Sequence, residues 1–233
     1  MINEELKNLY ISYLPELKKM YQDLDSKAKN DKTVNHYTSP FLLSCWEEKY
    51  LASKYKLVIF GQETNGWPDD YLYADKDIED TMKVYKDFEL GSSYKSLFWR
   101  YAHEINLKVN GIDDLNFVWN NVNKFGKNYG KGRPHTEVLK NEIEHFNVLS
   151  QEMKILNPDI CIFLTGPTYD ADLKNKLPDL EIESFCGYPT NEVAKLKSKS
   201  LPNNSFRTYH PGYGNRYQEW YYEVIDYIIN AIK

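Results

Sequence analysis

A chain of 233 residues, 42% hydrophobic and 15% aromatic with 20 tyrosines, can bury one α/β core, yet no apolar run approaches the ~20 residues that cross a membrane. A net charge of -5 and a pI near 5.6 argue against an extended grip on phosphates, while leaving room for a local basic face. Three scattered cysteines (Cys45, Cys161, Cys186) form no C-x-x-C pair, and "MINEELKNLY" carries acids where a signal peptide carries positive charge, so the expectation is a reducing cytoplasm with no disulfide framework, metal or cofactor.

In chain order, residues 3–24 have helical spacing through Leu6, Tyr10, Leu17, Met20 and Leu24, and Pro15 must kink that segment or start a second helix. A loop at 30–40 precedes a helical pattern in "FLLSCWEEKYLASKY". Four apolar runs follow, "KLVIFG" (56–61), "NFVWN" (116–120), "DICIFLTG" (159–166) and "SFRTYH" (205–210). Between and after them lie helix candidates at 93–107, 135–156, 168–176 and 215–232, with a weaker edge strand at 180–185. Continuous apolar strands separated by helices predict a three-layer α-β-α sandwich around a central, mainly parallel four-stranded sheet. There is no repeat or linker, so residues 1–233 read as one domain, with 1–50 as a helical extension packed on it.

The polar residues fall at the strand exits. The first strand ends in Gly61-Gln62-Glu63-Thr64-Asn65, the second in Trp119-Asn120-Asn121, the third in Thr165-Gly166-Pro167 and the fourth in Tyr209-His210-Pro211-Gly212. In a parallel sheet these ends share one edge, where open α/β sheets bind ligands. A carboxylate can orient water or stabilise developing positive charge. An amide reads an amide-like edge in both senses, and a histidine donates to an oxygen that becomes anionic. Those are the demands of N-glycosidic bond cleavage. Strand alternation lets only one of Asn120 and Asn121 face the crevice.

"GQETNGW", "FVWNN" and "YHPGYG", in this order, resemble the GQDPYH-type first motif, the apolar strand ending in Asn and the HPSP-type last motif of the uracil-DNA glycosylase superfamily. The resemblance runs from about Tyr55 to the C-terminus. It implies the family fold and hydrolysis of the bond to uracil or a related damaged base in DNA, by a monomer. Glu63 would position water and stabilise an oxocarbenium-like sugar, and His210 would hold the departing base's oxygen. Asn120 would read the base edge, with Gln62, Asn65 and Trp67 around it. Tyr71 and Phe88 are further candidates for the ring that stacks on the flipped base, whose extrusion costs a few kcal/mol. Tyr213 or Arg216 would wedge into the duplex, and Lys127, Lys131 and Arg133 of "KFGKNYGKGRPH", together with Lys124, would touch phosphates. Glu63 is one methylene longer than the family's usual Asp, Thr64 and Asn65 replace proline and tyrosine, and His-Pro-Gly-Tyr replaces His-Pro-Ser-Pro. The alternative expectation is a non-catalytic relative that binds nucleic acid, a nucleotide or a protein in the same crevice.

Overall fold

The computed structural model describes residues 1–214 and 217–232. The N-terminal periodicity resolves into two helices, α1 (Ile2–Ser12) and α2 (Leu14–Ala28), and Pro15 sits in the first turn of α2, where its missing N–H costs nothing. Only Glu47–Ala52 (α3) of the next pattern is helical. Residues 38–45 are irregular instead, because their backbone is committed elsewhere: Thr38 N–H donates to the Gly126 carbonyl at 3.0 Å and Phe41 N–H to that of Lys124 at 2.7 Å.

The sheet is mixed and six-stranded, and its strands lie side by side in the order Val118–Asn121, Leu57–Gly61, Ile160–Leu164, Asn204–Thr208, Ala194–Lys197 and Glu181–Ser184. Four contiguous parallel strands are β1 (Leu57–Gly61), β2 (Val118–Asn121), β3 (Ile160–Leu164) and β6 (Asn204–Thr208). They are extended by an antiparallel pair, β5 (Ala194–Lys197) and the edge strand β4 (Glu181–Ser184). The expectation of four strands is thus corrected to six. β5 was hidden inside a basic segment because its lysines alternate outward while Ala194 and Leu196 point into the core. β1, β2 and β3 are buried along their whole length, as strands covered on both faces must be.

Helix α4 (Asp75–Asp87) fills an acidic stretch that carries no strong apolar signal. Its start is fixed by Asp77, whose carboxylate accepts from the N–H groups of Tyr73 and Ala74 at 2.7 and 2.9 Å. Helix α5 (Leu97–Asn110) packs on β1 and on α9 (Gln218–Ile232), which also covers β6. The single helix expected over 135–156 is two, α6 (Thr136–His145) and α7 (Leu149–Leu156), broken where Phe146 and Val148 turn into the core. Helix α8 (Asp170–Lys176) follows β3 through a 3₁₀ turn at Pro167–Tyr169. α1 packs on α4 and α7, and α2 on α6. Among the described residues no helix is long and apolar enough to cross a membrane.

Beneath the sheet's exit edge lies a buried charged network. Lys124 Nζ sits 2.7 Å from Glu152 Oε2 on α7 and donates to Asn120 Oδ1 at 2.6 Å. Asn120 Nδ2 donates to the same Glu152 oxygen at 3.0 Å, and the Tyr10 hydroxyl donates to the other at 2.7 Å. Glu142 accepts from the Lys124 N–H at 2.8 Å and pairs with Lys176. Lys124, Glu152, Glu142 and Lys176 are all buried. Desolvation lowers the pKa of Lys124, with Glu152 opposing the shift. Removing one member of such a pair strands the other in a low dielectric at a cost of about 3–5 kcal/mol. Lys124→Met is therefore expected to lower unfolding stability by about that amount in urea titration. The double variant Lys124→Met/Glu152→Leu should lose less than the two single changes added together.

Candidate functional site at the strand exits

Pairing of β1 with β2 continues past the strands themselves. Val122 N–H donates to the Gly61 carbonyl at 3.0 Å and Asn123 N–H to that of Gln62 at 2.9 Å, and Asn65 and Lys127 form a further parallel bridge. Two glycines make this closeness possible. A Cβ on Gly126 would lie 2.2 Å from the Thr64 carbonyl oxygen, and one on Gly61 would lie 2.5 Å from Asn121 Oδ1. The Gln62 side chain donates to the Thr165 carbonyl at 2.8 Å, and Gly166 N–H to that of Thr208 at 2.9 Å. The exits of β2, β1, β3 and β6 are thereby linked in sequence. Gln62, expected beside the base, serves as one of these links.

Glu63 projects half-buried from the β1 exit. Its Oε2 accepts a hydrogen bond from the Tyr169 hydroxyl at 2.5 Å. Burial raises its pKa above the ordinary 4.5; the Tyr169 bond and the charges of Arg133 and Lys127 oppose that shift, while Asp172 adds to it. Arg133 lies over the Tyr169 ring, 5.3 Å from its centroid, and pairs with Asp172 of α8. Asn123 Nδ2 donates to the other Asp172 oxygen at 3.2 Å. Arg133, expected to meet a phosphate, is therefore tied into the surroundings of Glu63.

At the β2 exit both asparagines are buried, on opposite faces of the sheet. Asn120 is fully buried with its amide spent on Glu152 and Lys124, so its expected base-reading role is corrected. Asn121 points the other way, toward Gly61. Its Oδ1 accepts from Trp119 Nε1 at 3.1 Å, and its buried Nδ2 has no hydrogen-bond partner among the described residues. An orphan buried donor is costly unless something pairs with it. Lys124, read as a surface cation, is likewise corrected to a core residue.

His210 follows β6 and stacks on Phe98, the second residue of α5, with ring centroids 5.7 Å apart and planes 14° apart. The tip of that Phe98 ring also borders Gly61, 3.3 Å from where a Cβ would stand. Asn121 and His210 thus flank one aromatic ring. His210 Nδ1 accepts from the Gly212 N–H at 3.0 Å, which leaves the proton of a neutral imidazole on Nε2. Burial lowers its pKa below 6.5. Two strand spacings, roughly 10 Å, separate the exits of β1 and β6.

The remaining candidates scatter. Trp67 is core, edge-on to Phe41 at 5.2 Å and Trp119 at 6.0 Å, so its role as a stacking platform is corrected; Asn65 is exposed on the outside of its loop. Tyr71 stacks on Tyr21 of α2 at 4.3 Å, and Phe88 packs against Trp99 and Trp119. Lys131 is exposed and Lys127 half-buried. Tyr213 is 47% exposed and stacks on Tyr209, while Arg216 lies outside the described residues. Tyr169, Asp172 and Phe98 were missed; the one local signal for the first two was their place just after the third strand's exit. Among the described residues no group of three His, Cys, Asp or Glu could hold a metal ion. Open hollows of about 470 and 460 Å³ lie at the opposite edge, beside Pro158 and Pro202, and bring together no acid and imidazole.

The imidazole gives a direct check. Nitrogen-15 NMR should find His210 neutral at pH 7 with its proton on Nε2, titrating below 6.5. Since the folded ring binds a proton less tightly than the unfolded one, its contribution to stability is present above the ordinary histidine pKa and is lost as pH falls through and below it. No protein-family model matches the chain, and a search of curated proteins finds no match either.

Proposed function

We propose that this chain is a divergent protein of the uracil-DNA glycosylase type, hydrolysing the N-glycosidic bond of uracil or a related damaged base in DNA. On this reading it is a three-layer α-β-α sandwich forming one domain, with residues 1–50 as an N-terminal extension. It works as a cytoplasmic monomer on a base flipped out of single- or double-stranded DNA. The observation that carries the reading is the placement along one edge of the parallel sheet of a desolvated carboxylate (Glu63, after β1), an orphan buried amide (Asn121, at the end of β2) and an imidazole whose Nδ1 accepts a hydrogen bond, leaving its N–H on Nε2 (His210, after β6).

Each group matches one demand of the reaction. The C1′–N bond breaks with both electrons leaving on the base, and the Nε2–H of His210 donates to the base oxygen that becomes anionic. Asn121 offers its unspent Nδ2 to a carbonyl of the base edge. The Glu63 carboxylate faces the cationic sugar and accepts a proton from the water whose oxygen bonds to C1′. The span between the β1 and β6 exits is comparable with a nucleoside.

The test uses uracil-containing single- and double-stranded oligonucleotides, with alkaline cleavage of abasic sites as readout. Glu63→Gln and His210→Ala are each expected to lower the single-turnover rate by about 100-fold or more. Asn121→Ala should weaken discrimination among bases, whereas Asn120→Ala should show itself in unfolding stability. Cleavage that survives both Glu63→Gln and His210→Ala would remove the assigned chemistry. One observation favours a second reading, a relative that binds without cleaving: the Phe98 ring already lies against His210 and beside Gly61. Salt-dependent binding of the same oligonucleotides without turnover of any lesion would establish it.

A further inference from the structure

Glu63 is a demanding choice for the acid of this site, because its extra methylene adds a torsion that must be held still. A carboxylate displaced by an ångström from its reacting partner forfeits much of the rate that positioning supplies. Tyr169 supplies a restraint from outside the motif. Its backbone leaves β3 through the 3₁₀ turn Pro167–Tyr169, so the ring is carried on a rigid element beside the β1 exit. Its hydroxyl lies 2.5 Å from Glu63 Oε2, and the residue itself is buried. Arg133 lies over the ring at 5.3 Å and is anchored by Asp172, which Asn123 holds in turn.

We infer that Tyr169 is the positioning residue of the site, its hydroxyl fixing the plane of the Glu63 carboxylate so that Oε1 addresses the attacking water, with Arg133 and Asp172 holding the tyrosine ring in place. The inference rests on the functional reading above for its consequence in catalysis, but the bond has a consequence of its own. A donor to the ionised form lowers a carboxylate's pKa, opposing the desolvation that raises it. Burial and the neighbouring Glu63 push the Tyr169 phenol well above the ordinary tyrosine range, so it remains a donor throughout the working pH range.

Tyr169→Phe removes the donor and keeps the ring under Arg133. Glutamate side-chain carbon-13 NMR of the uniformly labelled protein, with Glu63→Gln identifying the resonance, then reads the Glu63 pKa with and without the hydroxyl. An upward shift of about one pH unit or more is expected, the size of a lost hydrogen bond to a charged group. In the oligonucleotide assay the acid limb of the rate profile should move to higher pH by the same amount, kcat should fall about tenfold or more, and KM should hold. Arg133→Met provides a second variant that leaves the hydroxyl in place, and it should shift the same limb in the same direction.

An unchanged Glu63 pKa in Tyr169→Phe overturns the inference whatever the enzyme does. Equally, a shifted pKa with kcat and profile unchanged in an active enzyme overturns the positioning role. If the unaltered protein cleaves no oligonucleotide, the functional reading fails while the NMR measurement still decides whether Tyr169 governs the carboxylate. A role confined to packing would move the melting temperature and leave both titrations where they were.

Discussion

The ion pair of Lys124 with Glu152, sealed away from water, is the constraint from which the rest of the exit edge follows. A buried charge pair is tolerable only when its remaining donors and acceptors are met, and here Tyr10 and Asn120 meet them. That requirement turns the Asn120 side chain inward. Because neighbouring residues of a strand face opposite ways, it also turns Asn121 to the other, equally buried face, against Gly61 and Trp119. The backbone of Lys124 extends the effect, since its carbonyl accepts from Phe41 and its N–H donates to Glu142. Hence α1, the irregular segment before α3, the β2 exit, α6 and α7 are fastened at one point, and the loop carrying Arg133 starts from a fixed base.

The rim above this anchor is governed by desolvation acting on two groups of opposite kind. Burial raises the pKa of Glu63 and lowers that of His210, so both are moved toward their neutral forms. For the histidine burial acts unopposed among the described residues, and Gly212 fixes which nitrogen keeps the proton. For the glutamate, Tyr169, Arg133 and Lys127 oppose the shift without cancelling it. The same physical cause thus acts on an acid and an imidazole two strand spacings apart, and only the acid has donors and cations set against it.

What the sequence disclosed follows from how local each cause is. Continuous hydrocarbon runs such as LVIFG and ICIFL are readable because a strand covered on both faces has no freedom to alternate. The polar tips of those strands were equally plain. By contrast, β5 was invisible, since two lysines in four residues mimic a solvated stretch, and α4 was masked by acids that cap and solvate it. The choice between Asn120 and Asn121 could not be made locally, because it is dictated by Glu152, more than thirty residues on. Lys124 was misread for the same reason. A lysine in a glycine-rich basic loop looks like surface until its distant carboxylate is known.

The glycine-rich loop after β2 therefore has a different part from the one its charge suggests. Its first lysine is in the core, Lys127 is laddered to Asn65, and Arg133 is committed to Asp172 and to the face of Tyr169. Lys131, between two glycines at positive φ, is exposed, and so is Arg133 despite its ties. Of these two exposed cations Arg133 is already paired with a carboxylate, in a chain whose net charge is -5. The loop also has a path of two contacts, guanidinium to ring and hydroxyl to carboxylate, from its outer end to Glu63.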